Sequence, residues 1–105
     1  MRKIKLSKSA SNKLEKLLYR LENEWSSRSK QNFIKKLDIS LEQIKNHPLS
    51  TEKSEIRKGL NRCVVTKQTT LFYKFDTKTI LIVTIFDNRM DPMKFKEVTK
   101  IKNRN

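Results

Sequence analysis

The sequence predicts an α+β fold: an N-terminal strand, then an α-helical hairpin packed on one face of a small antiparallel β-sheet. Three observations predict it. Apolar residues recur at helical spacing along two successive stretches of the first half. In the second half they fall in short runs at strand spacing, separated by turn residues. A chain of 105 residues buries roughly 60–70% of its unfolded surface, enough for one sheet with helical cover and too little for a second core. Residues 1–105 therefore read as a single domain, with 92–105 as a basic C-terminal tail or short helix.

RKIKL (2–6) alternates basic and apolar residues, with Ile4 and Leu6 on one side, as in a half-buried strand. The serine-rich SKSAS that follows supplies helix N-caps, and Asn12 with Glu15 has the spacing of a capping box. Ala10, Leu14, Leu17, Leu18, Leu21 and Trp25 then trace one stripe of a helix and are expected in the core. Serines 26, 27 and 29 interrupt that stripe and can cap a second helix. Phe33, Ile34, Leu37, Leu41 and Ile44 form its stripe, and Pro48 ends it. The lysines at 13, 16, 35, 36 and 45 read as solvated helix faces.

After the polar LSTEKS (49–54) come the strand candidates EIRKGL (55–60), RCVVTK (62–67), TLFYKF (70–75) and TILIVTIF (79–86). The segments between them are short enough for hairpins, so they form an antiparallel meander. The last strand is apolar on both faces and belongs in the middle of the sheet. One sheet face packs on the hairpin; the opposite face is where a site is expected.

Charge limits the function classes. The chain carries 25 Lys+Arg against 11 Asp+Glu, a formal +14. Residues 1–50 hold 12 basic and 5 acidic groups and residues 51–105 hold 13 and 6, so the excess is spread evenly. Such a body attracts polyanions or acidic partners; the alternative is a solubilising lysine-rich surface. Cys63 is the only cysteine and His47 the only histidine, which leaves no intramolecular disulfide, no zinc site and no Ser-His-Asp triad. The single Gly59 gives no glycine-rich phosphate loop. No apolar run reaches ~20 residues, so the expectation is a cytoplasmic protein with no membrane partner. No metal and no small-molecule cofactor is expected.

The stretch IFDNRMDP (85–92) raises the central functional question, because the apolar strand ends in Asp87, Arg89 and Asp91. One reading is a turn: Asp87-Asn88 suits a tight reversal, Asp91-Pro92 is a stop, and Arg89 bridges the carboxylates. The other is a site, in which Asp87 and Asp91 orient Arg89 over the open sheet face toward phosphate or a partner carboxylate.

Over roughly residues 3–95 the chain resembles the RelE/ParE superfamily of toxins from type II toxin–antitoxin modules. The resemblance is carried by the early helix stripe, FIKKLDISLEQIKNHP, EIRKGLNRCVVTKQTTLFYKF with its Phe72-Tyr73 pair, and ILIVTIFDNRMDP, in that order and spacing. It implies a toxin that inhibits growth by acting on DNA gyrase or translation and is neutralised by a cognate acidic antitoxin. ParE-like members poison gyrase; RelE-like members are ribosome-dependent, metal-independent mRNA endoribonucleases. A non-toxic basic module binding nucleic acid is the remaining alternative.

Metal-free RNA cleavage needs a base, cations for the phosphorane and an acid for the leaving oxygen. Arg89, Arg62 and Arg57 are the candidate catalytic cations, with Lys58, Lys67, Asp87, Asp91 and Phe95 as candidate substrate contacts. RelE-like nucleases resembling this chain place a tyrosine or His-Tyr pair after the last strand; here Phe95 stands near that place and carries no proton. Glu52 and Glu55 are candidate bases, and Tyr73 could face the site. The gyrase reading is therefore favoured over the ribonuclease.

Overall fold

The computed structural model describes residues 2–49 and 59–90. β1 (Lys3–Leu6) leads into α1 (Lys8–Arg20), a π-helical turn (Leu21–Trp25) and α2 (Ser27–Asn46). β2 (Asn61–Val64), β3 (Thr69–Phe75) and β4 (Thr79–Asp87) follow, in the sheet order β1-β4-β3-β2. The hairpins β2–β3 and β3–β4 are antiparallel, as the short turns require. β1 departs from the expected antiparallel sheet: it pairs with β4 in parallel, Ile4 opposite Ile80 and Leu6 opposite Ile82, so the sheet is mixed. The two helices between β1 and the meander supply the long crossover that a parallel pair needs. β4 lies in the middle, in keeping with its apolar character on both faces. The strand candidate at 55–60 falls largely outside the described residues, as does the tail 92–105; Gly59, at φ +82°, precedes β2.

The cap of α1 comes from the expected SKSAS serines. Ser7, not Asn12, is the N-cap: its Oγ accepts from the Ala10 amide at 3.0 Å and donates to the Val83 carbonyl at 2.6 Å. One hydroxyl thus caps the helix and ties it to β4, a link that an Asn12–Glu15 box could not make. Ser26 caps α2 by accepting from the Ser29 amide at 2.9 Å, and α2 stops just before Pro48.

Ala10, Leu17, Leu21, Phe33, Leu37 and Ile44 from the helices close on Cys63, Leu71, Tyr73, Ile80, Ile82 and Ile85 from the sheet. Each of the leucines, the isoleucines and Phe33 contributes roughly 1.5–3 kcal/mol of burial. Trp25 is the exception and stands 60% exposed. Its amide neighbour explains why: the Ser26 N–H bonds the Leu21 carbonyl five residues back, at 2.8 Å. A π turn takes up an extra residue, so the next side chain falls off the stripe that the α-helical period projects.

The ladder between β3 and β4 shifts register between Phe72 and Tyr73: Phe72 is opposite Thr84, and Tyr73 is opposite Ile82. The extra residue in β4, Val83, reverses the alternation beyond it. Ile85 and Asp87 are thereby brought to the side on which Ile80 and Ile82 meet the helices, opposite Leu71 and Thr69. This displacement decides where the charged end of β4 goes.

Candidate functional site

Asp87 is the last residue of β4, buried, with Thr69 of β3 directly opposite. The Thr69 hydroxyl hydrogen-bonds Asp87 Oδ2. The turn after the strand brings Arg89 back onto the same carboxylate. Arg89 donates from its backbone N–H to Oδ1 at 2.8 Å, from Nε to Oδ1 at 3.1 Å and from Nη2 to Oδ2 at 2.8 Å. Nη2 also reaches Thr69 Oγ1 at 3.4 Å. The fork-on-carboxylate geometry is the strong form of the ion pair, and the Arg89 side chain is only 17% exposed.

The guanidinium faces the helical hairpin, its carbon 5.8 Å from the centre of the Trp25 ring. From α1, Arg20 donates to the carbonyls of Arg89 and Met90 at 3.1 and 2.6 Å, while its Nε pairs with Glu24 at 3.4 Å. Beside this clasp lies an open groove of about 590 Å³ lined by Glu15, Lys16, Tyr19, Arg20, Glu24 and Met90. Tyr19, 70% exposed, and Trp25 give this end of the hairpin an apolar surface. Trp25 is the residue that sequence periodicity misplaced, having assigned it to the core.

The expected cation cluster is divided. Asp87 does orient Arg89, but toward the hairpin and not over the open sheet face. Arg62 lies on the sheet face turned away from the helices, half-buried opposite Phe72. Lys67 is exposed in the β2–β3 turn. Arg57, Lys58, Asp91 and Phe95, with Glu52 and Glu55, lie outside the described residues. Tyr73 points into the core with no exposure, and its hydroxyl donates to the Pro48 carbonyl at 2.6 Å. Lys13, expected on a solvated helix face, donates to Thr84 Oγ1 at 2.9 Å. Cys63 is a buried free thiol; burial raises its pKa, and a hydrogen bond with Ser40 offsets that only in part. Among the described residues, no three His, Cys, Asp or Glu side chains gather in a way that could hold a metal ion. None of the described helices is long and apolar enough to cross a membrane.

The α+β fold is shared with solved structures from toxin–antitoxin systems. The chromosomal ParDE system of P. aeruginosa superposes with a TM-score of 0.67 at 12% identity, over 83% of this chain and 96% of that one. The E. coli DinJ-YafQ complex gives 0.57 at 18% identity, over 85% and 96%. A copper-bound mutant toxin from Helicobacter pylori gives 0.54 at 17%, over 85% and 97%. At these identities the likeness is one of fold. No curated protein matches the sequence. The family model described as "ParE toxin of type II toxin-antitoxin system, parDE" matches residues 4–92. The chain belongs to that ParE toxin family.

Proposed function

We propose that this toxin arrests growth by binding DNA gyrase, without cutting mRNA, and that a cognate acidic antitoxin neutralises it. The observation that carries the reading is the commitment of Tyr73 and Arg89 to the fold. A cleaving site needs a hydroxyl or carboxylate free to move a proton and a cation free to meet the phosphorane. The Tyr73 hydroxyl is spent on the Pro48 carbonyl inside the core, and Arg89 is spent on Asp87. Phe95, where similar nucleases carry a tyrosine, has no proton to give. An antitoxin reading is supported by the +14 charge and by the exposed Tyr19, Trp25 and Ile39 on the hairpin, which offer apolar surface to a covering segment.

Two reactions test the proposal together. Purified protein is added to gyrase with relaxed plasmid, and separately to translating ribosomes with primer extension across the message. The expected result is lost supercoiling or accumulated cleaved plasmid, with an unbroken message. New breaks within A-site codons and untouched gyrase would overturn it and assign the ribonuclease activity, with Arg62 and Arg57 as the cations to examine.

A further inference from the structure

The four strands separate their charges by face. Lys5 of β1 is paired with Leu81 of β4, and Leu81 with Lys74 of β3, so both lysines lie in one row across three strands. Lys3 is paired with Thr79, two positions along the same face, and Arg62 is paired with Phe72 farther up it. Ile4, Ile80 and Tyr73, the alternating neighbours, point to the helices. All four strand cations named here therefore share the sheet face turned away from α1 and α2. Lys3, Lys5 and Lys74 are exposed, and none of the three makes a side-chain hydrogen bond or ion pair among the described residues.

The strands contain one carboxylate, Asp87, and it is on the opposite face, buried and paired with Arg89. The other acids of the helices and their connection, Glu15, Glu22, Glu24, Asp38 and Glu42, belong to the hairpin on that opposite side. A merely solvated surface mixes charge signs. Among the described residues the strands put cations and no acid on this face, with Asp76 in the β3–β4 turn at its edge, so its field is predominantly positive.

The apolar residues between these cations do not form a stacking platform. Phe72 is 6% exposed, and Leu81 is half-buried. Recognition of single strands relies on rings that bases can stack upon; contact with a duplex backbone needs only spaced cations. Adjacent strands are ~4.8 Å apart, which separates Lys5 from Lys74 by roughly 10 Å, and residues two apart on a strand are about 7 Å apart. Flexible lysine stems can fit those spacings to successive phosphates.

We infer that the sheet face turned away from α1 and α2 binds the phosphate backbone of duplex DNA through Lys3, Lys5 and Lys74, with Arg62 at the far end of the same face. The choice of DNA over duplex RNA rests on the gyrase reading, since gyrase holds a DNA duplex. The toxin would then touch enzyme and DNA together, with the helical hairpin left for protein.

Anisotropy of a labelled ~20-base-pair DNA duplex, titrated with full-length protein at several salt concentrations, tests the face without gyrase. Two variants remove equal charge: Lys5→Ala/Lys74→Ala on the sheet, and Lys35→Ala/Lys36→Ala on the exposed side of α2. The sheet pair is expected to weaken binding at least about tenfold and to flatten the slope of log K against log salt by roughly 2, at ~0.9 per phosphate contact. The helix pair should leave the slope unchanged. Equal losses in both variants, or no binding by the unaltered protein, would overturn the inference. So would tighter binding to single-stranded RNA with the same dependence on Lys5 and Lys74. The gyrase assay on unaltered protein is read separately: duplex binding without gyrase inhibition would sink the proposed target and keep the DNA-binding face.

Discussion

Arg89 grips Asp87 at two points, Nε to Oδ1 at 3.1 Å and Nη2 to Oδ2 at 2.8 Å, on a carboxylate with no solvent exposure. Removing one partner of such a pair strands the other charge, which typically costs 3–5 kcal/mol. Asp87→Ala should therefore lower unfolding stability by about that much, because Arg89 and the Thr69 hydroxyl both lose their acceptor. Arg89→Ala should cost a comparable amount. The double variant should cost clearly less than the sum, since neither charge is left alone. Urea titrations of the four proteins give the coupling directly. Additive losses would mean that the pair does not hold the end of β4, and that Arg89 is available for other work.

The same pair shows how far the sequence was legible. Asp87 and Arg89 could be picked out as a charged end to an apolar strand, but their direction could not. It depends on the register shift that leaves Val83 as the extra residue, which turns Asp87 toward the hairpin. Nothing in TILIVTIF distinguishes a strand with a bulge from one without, because its residues are apolar on both faces. Trp25 failed for a related reason: one π turn changes the helical phase, and periodicity assumes a constant one. The stripes before it, from Ala10 to Leu21, and in α2 from Phe33 to Ile44, repeated often enough to mark the buried face correctly. β1 was visible as a strand, but a parallel partner 76 residues away (Ile4 to Ile80) leaves no local signal.

Tyr73 offers a sharp separation of structure from chemistry. Its ring fills the core and its hydroxyl donates to the Pro48 carbonyl at 2.6 Å. Tyr73→Phe keeps the ring and removes the hydroxyl, leaving the Pro48 carbonyl just beyond α2 without that donor. A loss of about 0.5–1.5 kcal/mol is expected in denaturant unfolding, with toxicity on expression unchanged. Loss of toxicity with stability intact would instead make Tyr73 a functional hydroxyl.

Cys63 is expected to behave as a core thiol. Burial favours the uncharged form and raises its pKa, so little thiolate exists near neutral pH and attack on an aromatic disulfide reagent should be slow until urea is added. The raised value also sets the sign of a pH effect. The unfolded chain loses the thiol proton first, at about pH 8.5, so the native state's advantage is complete below that pH and is lost as pH rises through the folded pKa. The stability gap between the unaltered protein and Cys63→Ala should therefore narrow as pH rises above about 8.5. A gap that widens in alkali would show that the thiolate is favoured by the fold, and would make Cys63 a nucleophile.

Asp76 runs the opposite way, in acid. Its Oδ1 accepts the backbone N–H groups of Lys78 and Thr79 at 2.8 and 2.7 Å, closing the β3–β4 turn. Those two bonds are the main reason its pKa is lowered, with smaller help from the positive charges of Arg2 and Lys78. The ionised form is favoured in the folded state, so the stabilisation is fully present above the ordinary aspartate value of about 3.9 and disappears as pH falls through the lower folded value. Melting temperatures of the unaltered protein and Asp76→Ala should differ by a constant amount from neutral pH to about pH 5 and converge below about pH 4. Asp76→Asn keeps an acceptor oxygen without the charge, so its advantage over alanine should persist through the same range. Because hydrogen bonds and not distant charges dominate, added salt should leave most of the neutral-pH difference in place. A difference that salt abolishes would show that the two amide bonds are not what holds the carboxylate.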